Sequence, residues 1–263
     1  MGVQIDPLAH VGKKAQLGEN VCIGMSAIIG EDVLIGDGTT IAPYSIIQNG
    51  TRLGRNCKVA SFSVIGGPPQ DLKYKGEPTI LEVGDHCDIR EYVTLNRGTA
   101  ETGKTIIGNN CMFMANTHVA HDCRVGNNCI LANSAPLGGH VVIGDWVILG
   151  GLSAVHQFVH IGDHAMLGAS YIATKDIPPY VRAGRVPVSF EGVNSVGIRR
   201  RGFSLQAIEQ IEKAYYLLYR SQLNVSQAVA RIKAELEQTP EIQNILQFIA
   251  NSKRGIIPGP RFQ

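Results

Sequence analysis

An aliphatic residue recurs at every sixth position along most of this 263-residue chain. Of the 25 positions in the series, 24 carry an aliphatic side chain, and fifteen are followed directly by glycine. The series comprises Ile5, Val11, Leu17, Ile23, Ile29, Ile35, Ile41, Ile47, Leu53, Val59, Ile65, Val83, Ile89, Leu95, Ile107, Phe113, Val119, Val125, Leu131, Leu137, Ile143, Leu149, Val155, Ile161 and Leu167. Such a period, with one large and one small inward residue per hexad, predicts a β-solenoid in which three hexads close a triangular coil of about 18 residues.

Two stretches, 68–79 and 100–105, interrupt the period with prolines, charges and polar residues. A solenoid sends insertions outwards as loops, often on its binding face. We therefore predict surface loops at both places, and a loop without any binding role is the alternative. The period does not define the handedness of the coil, and the general rule for parallel crossovers favours a right-handed path.

The period becomes helical near Ser204, which is placed as the N-cap of a helix. The apolar stripe of this helix comprises Leu205, Ile208, Ile211, Tyr215 and Leu218. A second helix is predicted over 226–237. A third begins at Thr239, because a capping residue is followed there by proline at the first helical position. The predicted fold is mainly β, with a solenoid over 1–190 and a C-terminal α-helical domain over 191–263.

Composition excludes several classes of function. The net charge of +2 is not that of a nucleic-acid-binding protein. No apolar run approaches the roughly 18 residues of a membrane span, and the N-terminus lacks a signal-peptide pattern. We expect a cytoplasmic protein without stable membrane insertion.

Five of the six cysteines fall at the small inward position of the hexad, where they predict compact core side chains rather than disulfides or a zinc ribbon. These are Cys57, Cys87, Cys111, Cys123 and Cys129.

Polar side chains with catalytic potential are concentrated in the second half of the solenoid. Because one coil consists of three hexads, His121, Gly139 and Gln157 are predicted to stack in one column. Asp122 and His140 are predicted to stack in the neighbouring column. A base, a glycine whose N–H can be approached closely and a polar amide side chain would then line up along one edge of the prism.

This set of residues suits acyl transfer. A neutral imidazole at His121 can accept a proton from an attacking hydroxyl near neutral pH. The N–H of Gly139 can stabilise an oxyanion, and Asp122 can orient the imidazole. No serine or cysteine is paired for nucleophilic attack, so we predict direct transfer without a covalent enzyme intermediate.

Two other interpretations of the histidines stay open at this stage. His118 and His121, together with His140 or His156, could bind zinc, although the spacing differs from that of hexapeptide-repeat carbonic anhydrases. A catalytically silent scaffold could also carry these histidines as ordinary turn residues. We expect a base and no metal. Metal analysis and the activity of a His121→Ala variant distinguish the three.

Several motifs, taken in order along the chain, resemble those of one family. They lie at 70–79, 89–91, 118–123, 154–158 and 200–204. They resemble the acyl-carrier-protein–UDP-N-acetylglucosamine O-acyltransferases, hexapeptide-repeat enzymes that catalyse the first step of lipid A synthesis. The resemblance covers essentially the whole chain. It implies a left-handed parallel β-helix and a homotrimer with active sites between subunits.

The resemblance also implies a reaction, the transfer of a 3-hydroxyacyl group from acyl carrier protein to the 3-hydroxyl of UDP-N-acetylglucosamine. His121 matches the catalytic base and Gly139 the oxyanion amide. Residues that match substrate contacts are Asp71, Lys73, His118, His140, Gln157 and Arg200. Arg199 and Arg201 are expected to receive the acidic carrier protein.

Ala169 falls where the family sets acyl-chain length, and a small residue there implies a medium to long chain. No cofactor is expected on the enzyme itself, because the 4′-phosphopantetheine is carried by the donor. The number of carbons, and whether a 3-amino sugar is accepted, stay open.

Overall fold

A stack of short β-strands, followed by a hairpin and four helices, makes up residues 2–259, which the computed structural model describes. The outermost residues of the two predicted domains, Met1 and 260–263, lie outside the described residues. Within 2–259, no helix is both long enough and apolar enough to cross a membrane.

The strands are short, and most contain two residues. In chain order they are β1 Gln4–Ile5, β2 His10–Val11, β3 Gln16–Leu17, β4 Cys22–Ile23, β5 Ile28–Ile29, β6 Val33–Ile35, β7 Thr40–Ile41, β8 Ile46–Ile47, β9 Thr51–Leu53, β10 Lys58–Val59, β11 Val64–Gly67, β12 Ile80–Val83, β13 Asp88–Ile89, β14 Thr94–Asn96, β15 Lys104–Ile107, β16 Met112–Phe113, β17 His118–Val119, β18 Arg124–Val125, β19 Ile130–Leu131, β20 Pro136–Leu137, β21 Val142–Ile143, β22 Ile148–Leu149, β23 Ala154–Val155, β24 His160–Ile161, β25 Met166–Leu167, β26 Ile172–Ala173, β27 Val181–Gly184 and β28 Ser189–Val193.

Three sheets form the faces of the solenoid, and each takes every third strand. Sheet A has the order β1-β4-β7-β10-β13-β16-β19-β22-β25-β27-β28, sheet B the order β2-β5-β8-β11-β14-β17-β20-β23-β26, and sheet C the order β3-β6-β9-β12-β15-β18-β21-β24. All pairs are parallel except β27–β28. The strand period therefore continues one step beyond Leu167, through β26.

The register between neighbouring strands confirms the coil of three hexads. His118 pairs with Pro136, and Arg124 pairs with Val142. The offset is larger at the two interruptions, where Lys58 pairs with Asp88, and Asp88 with Met112. The first interruption lies between β11 and β12. The second lies between β14 and β15 and comprises 97–103, so it begins three residues earlier than predicted and ends two residues earlier, because Lys104 and Thr105 already belong to β15.

The core is the column of inward aliphatic residues, and from Ile23 onwards every member of the six-residue series is buried. Each such side chain contributes about 1.5–3 kcal/mol of hydrophobic free energy when it is fully buried. Ile5, in the first described coil, is 46% exposed and is covered by a neighbouring coil on one side alone. The stability of the solenoid thus depends on the stacking of neighbouring coils rather than on any single coil.

Four cysteines occupy successive coils of one inward column. Cys57, Cys87, Cys111 and Cys129 are buried, and each thiol donates a hydrogen bond to a carbonyl of the next coil. The thiol of Cys129, together with burial, raises the pKa of Cys111 to about 12. All six cysteines are free. The prediction of compact core cysteines is confirmed for the five inward residues, whereas Cys22 is half-buried.

The three sheets meet at three corners, where successive turns stack one coil above another. We name them edge AB, edge BC and edge CA after the sheets that they join. Each is a two-residue turn, such as 115–116, 121–122 and 127–128. In most of these turns the second residue has positive φ, for example 61° at Asp122, 60° at His140 and 64° at Phe158. This left-handed backbone conformation is uncommon for residues other than glycine.

The C-terminal part contains α1 Ser195–Arg200, α2 Leu205–Tyr219, α3 Val225–Glu235 and α4 Pro240–Asn251. Ser204 and Thr239 cap α2 and α4 as predicted, whereas α3 starts one residue earlier and ends two residues earlier than expected. Leu205 was assigned to the apolar stripe of α2, but its side chain is exposed. Neither the β27–β28 hairpin nor α1 was predicted, and residue 190 lies inside β28.

Two adjacent isoleucines test this packing. Ile29 is fully buried, whereas Ile28 on the same strand points outwards and is 45% exposed. Ile29→Ala is expected to lower the free energy of unfolding by about 2–5 kcal/mol, because it leaves a cavity. Ile28→Ala is expected to cost about 0.5 kcal/mol. Urea unfolding measures both, and equal losses would contradict the assigned inward face.

Candidate active site

Edge BC brings together the residues that the three-hexad spacing predicts. The turns 121–122, 139–140 and 157–158 follow one another up this edge. The backbone N–H of His140 donates to the carbonyl of His121 at 3.0 Å, and that of Phe158 donates to the carbonyl of Gly139 at 3.0 Å. His121, Gly139 and Gln157 therefore occupy one column, and Asp122, His140 and Phe158 the next.

His121 and Asp122 form a hydrogen-bonded pair, with 2.7 Å between Nδ1 and Oδ2. Asp122 is buried, and burial alone would raise its pKa. Hydrogen bonds from Thr102, His121 and Thr99 outweigh this effect and lower the pKa. The carboxylate is then ionised near neutral pH and can only accept, so Nδ1 of His121 must be the donor. The neutral imidazole is left with Nε2 as a free acceptor, which is the form that a general base requires.

Gly139 lies directly against the imidazole of His121. A Cβ at this position would be 2.7 Å from Cε1 and 2.8 Å from Nε2 of the ring. Only glycine therefore allows the ring to lie over the backbone at this height. Among the described residues, none accepts a hydrogen bond from the Gly139 N–H, so this donor remains available next to the base.

His140 forms the second wall of the site. Its ring packs edge-on to His121 with centroids 5.2 Å apart, and it stacks on Phe158 at 4.5 Å. Its Nε2 lies 3.6 Å from carboxylate oxygens of both Asp122 and Glu101. These contacts fix the orientation of the His140 ring beside His121.

A cleft of about 660 Å³ opens at this edge. The first interruption forms its outer wall, and five residues singled out in the sequence line it, namely Asp71, Lys73, His121, His140 and Gln157. The interruption is fastened to the solenoid by Arg97, which donates to Tyr74 Oη at 3.1 Å and to the Asn49 carbonyl at 2.8 Å. The hydroxyl of Tyr74 donates in turn to the carbonyl of Glu77 at 3.0 Å.

His118 is held apart from this group. It lies on sheet B rather than on the turn, and its Nδ1 is 2.7 Å from the hydroxyl of Thr94. Burial lowers the pKa of His118, and a proton on His121 would lower it further, so the His118 imidazole is neutral near pH 7. His118 does not line the cleft. Its substrate-positioning role stays a prediction.

One group of potential metal ligands exists among residues 2–259, and it consists of His121, Asp122 and His140. The zinc interpretation of the sequence paired His118 with His121, but His118 is not a member of this group. The carboxylate of Asp122 already accepts hydrogen bonds from Thr99, Thr102 and His121. These contacts occupy the lone pairs that a cation would need, so the geometry favours the hydrogen-bonded pair.

Of the predicted arginines, Arg201 lies on a different edge of the prism. Arg201 lies 5.1 Å over the ring of Trp146 and contacts Nδ1 of His164 at 3.1 Å, and both of these residues belong to turns of edge CA. Burial and the charge of Arg201 lower the pKa of His164. Arg199 and Arg200 are exposed at the end of α1.

Ala169 lies on the third edge, AB, in the turn 169–170. Within a single chain, neither the arginines nor Ala169 line the cleft at edge BC.

Four residues near the site were not singled out in the sequence. Thr99 and Thr102 contact Asp122, Glu101 lies beside His140, and Phe158 stacks on His140. The spacing rule could have found Phe158, since it lies one coil after His140. The other three lie in the second interruption, where no period indicates which side chains point inwards.

Comparison with known proteins gives matches over the whole chain. The family model described as UDP N-acetylglucosamine O-acyltransferase, domain 2, matches 176–257. The bacterial transferase hexapeptide model matches 32–67 and 104–135. An acyl-[acyl-carrier-protein]–UDP-N-acetylglucosamine O-acyltransferase from Myxococcus xanthus is 47% identical over 96% of this chain and 98% of that protein. The chain belongs to this O-acyltransferase family.

Further members of the O-acyltransferase family agree with this assignment. The relative from Halorhodospira halophila is 44% identical, over 97% of this chain and 99% of its own. The solved UDP-N-acetylglucosamine acyltransferase of Bacteroides fragilis superposes with a TM-score of 0.95 at 45% identity, covering 97% of this chain and 100% of that one. The predicted left-handed parallel β-helix with a C-terminal helical domain is confirmed.

Gly139→Ala tests the close approach of the imidazole. The added methyl group would overlap the ring, so His121 must swing away and lose its bond to Asp122. We expect the Nδ1–H signal of His121 to disappear from the ¹⁵N-histidine NMR spectrum. Gly151→Ala is the matched control, because the nearest atom to its Cβ would be the Asn133 carbonyl oxygen at 3.5 Å. An unchanged His121 signal in Gly139→Ala would contradict the contact.

Proposed function

We propose that this protein transfers a 3-hydroxyacyl group from acyl carrier protein to the 3-hydroxyl of UDP-N-acetylglucosamine, as the first step of lipid A synthesis. The names of its relatives support the donor and the acceptor. The observation that carries the chemistry is the His121–Asp122 pair, whose free Nε2 faces a cleft lined by Asp71, Lys73 and Gln157.

The reaction is written as a direct transfer. His121 Nε2 takes the proton from the sugar hydroxyl as that oxygen attacks the thioester carbonyl, and the carbon–oxygen bond forms. The Gly139 N–H stabilises the developing oxyanion. The carbon–sulfur bond then breaks, and the imidazolium returns the proton to the departing phosphopantetheine thiolate. Asp122 orients the ring and stabilises its charged form throughout.

The scatter of site residues over three edges supports a homotrimer. The base lies on edge BC, Arg201 on edge CA and Ala169 on edge AB, and no single prism brings these edges together. A neighbouring subunit packed against edge BC would present another of its edges to the cleft. Such an intersubunit site can bury a ligand that one convex edge cannot. Arg200 would then contact the nucleotide phosphates, and Ala169 would limit the acyl chain.

The central test is mass spectrometry of the product formed from UDP-N-acetylglucosamine and a series of 3-hydroxyacyl carrier proteins. Wild type is expected to give an acylated sugar nucleotide, and the preferred donor gives the chain length. His121→Ala is expected to lower kcat about 10²–10⁴-fold, because proton transfer is lost. His10→Ala, at an exposed position in the first coil, serves as the control.

Three outcomes of this assay would count against the proposal. No acylated sugar from any donor would contradict the reaction. Unchanged activity in His121→Ala would favour the silent scaffold. Loss of activity on chelation, restored by zinc, would favour the metal group over the base.

The exposed arginine of α1 tests carrier recognition. Arg199→Glu is expected to raise KM for acyl carrier protein roughly tenfold at low salt with kcat unchanged, because an attractive charge becomes repulsive. The difference should shrink at high ionic strength. Arg201→Met is the comparison. Because the guanidinium of Arg201 also packs on Trp146, we expect this variant to lower the melting temperature in addition to raising KM. A KM that Arg199→Glu leaves unchanged would remove Arg199 from the carrier surface.

A further inference from the structure

The second interruption of the repeat surrounds the carboxylate of Asp122 with threonines. The backbone N–H of Thr99 donates to Oδ1 at 3.0 Å, and its hydroxyl donates to Oδ2 at 2.8 Å. The hydroxyl of Thr102 donates to Oδ1. The backbone N–H of Asp122 donates to the hydroxyl of Thr105 at 2.9 Å. Apart from His121, the hydrogen-bond partners of the Asp122 carboxylate and N–H thus lie in the second interruption or at the start of β15, which follows it directly.

The segment is folded tightly enough to act as a fixed support. The Gly103 N–H donates to the Thr99 carbonyl at 2.8 Å, which closes the turn. A Cβ on Gly98 would be 2.3 Å from the backbone nitrogen of Lys104, so the two ends of the segment are in contact. Thr99 and Thr105 are buried. The hydroxyls therefore meet Asp122 from a defined backbone rather than from a mobile loop.

The contacts decide which oxygen of Asp122 faces the base. The Thr99 N–H and the Thr102 hydroxyl hold Oδ1, whereas the Thr99 hydroxyl holds Oδ2 in place beside Nδ1 of His121. Other groups could compete for this carboxylate or disturb it. His140 Nε2 lies 3.6 Å from Oδ2, and Glu101 lies at the same distance from His140. Without the hydroxyls, the carboxylate could turn towards His140 and release His121.

We propose that Thr99 and Thr102 are positioning residues for the transfer reaction, holding Asp122 so that His121 keeps its proton on Nδ1 and its free acceptor at Nε2. This inference rests on the proposed function for its kinetic consequence. Its structural part concerns the tautomer of His121 and does not require turnover. Neither threonine forms a hydrogen bond with His121, and both act on the base through Asp122. Thr99 also lines the cleft, so the tautomer of His121 is the readout that separates positioning from a direct contact with substrate.

The variants to compare are Thr99→Val, Thr102→Val and the double variant, with Thr99→Ser and Thr102→Ser as conservative replacements that keep the hydroxyl. Thr39→Val is the matched control. Its buried hydroxyl donates to the Gly54 carbonyl at 2.8 Å and accepts from the Cys57 N–H at 3.0 Å, in an early coil far from edge BC. Thr102 is exposed, so Thr102→Val is expected to fold even if Thr99→Val does not.

We expect each valine variant to lower kcat, and the double variant to lower it roughly tenfold to a hundredfold, with KM for the sugar nucleotide unchanged. The serine variants should retain wild-type kcat. In ¹⁵N-histidine NMR, the His121 signals should shift from the Nδ1–H towards the Nε2–H tautomer in the valine variants only. A merely structural role would lower the melting temperature without changing this tautomer.

Two results would overturn the inference. One is a folded Thr99→Val, Thr102→Val double variant with wild-type kcat and the wild-type His121 tautomer. The other is an equal loss of kcat in Thr39→Val, which would mark the effect as general destabilisation. Failure of the proposed function is distinguished by the wild-type assay, because an inactive wild type would leave the NMR comparison as an independent test of positioning.

Discussion

The coil-to-coil register is the constraint on which the rest of this structure depends. Each inward aliphatic side chain packs on its counterpart one coil later, and the parallel strands pair at the same positions. A slip of one residue would turn every inward side chain outwards, so the register is strongly specified. The distances at edge BC follow from it. His121 meets Gly139 because one coil separates them and because position 139 has no side chain.

Reactivity arises where the chain departs from its repeat. The solenoid supplies a column of turn residues, but a convex edge can neither enclose a substrate nor hold a buried charge. The first interruption adds the wall that carries Asp71 and Lys73. The second adds the threonines that satisfy Asp122. A buried carboxylate is costly unless it is hydrogen-bonded, so the repeat alone could not have maintained the His121–Asp122 pair.

The parts of the fold that repeat could be predicted from the sequence, and the parts that do not repeat could not. Counting in steps of three hexads placed His121, Gly139 and Gln157 in one column, because stacking converts sequence distance directly into height. The same counting gives no information on how the second interruption folds back, so Thr99 and Thr102 were missed. Arg199 and Arg200 lie in the last turn of α1, and Arg201 is its C-cap. Which prism edge they occupy depends on the unpredicted hairpin β27–β28 and on α1.

The inward column of cysteines offers a way to observe how this solenoid opens. Thiols react as thiolates, and burial raises the pKa of Cys123 to about 12. The four cysteines of the inward column are also buried, so an alkylating reagent cannot reach them while their coils are folded. Cys57, Cys87, Cys111 and Cys129 lie in four different coils. Each becomes reactive only when its own coil separates from the next. The chain thus carries a natural set of probes, and their relative rates of modification would show from which end the stack unwinds.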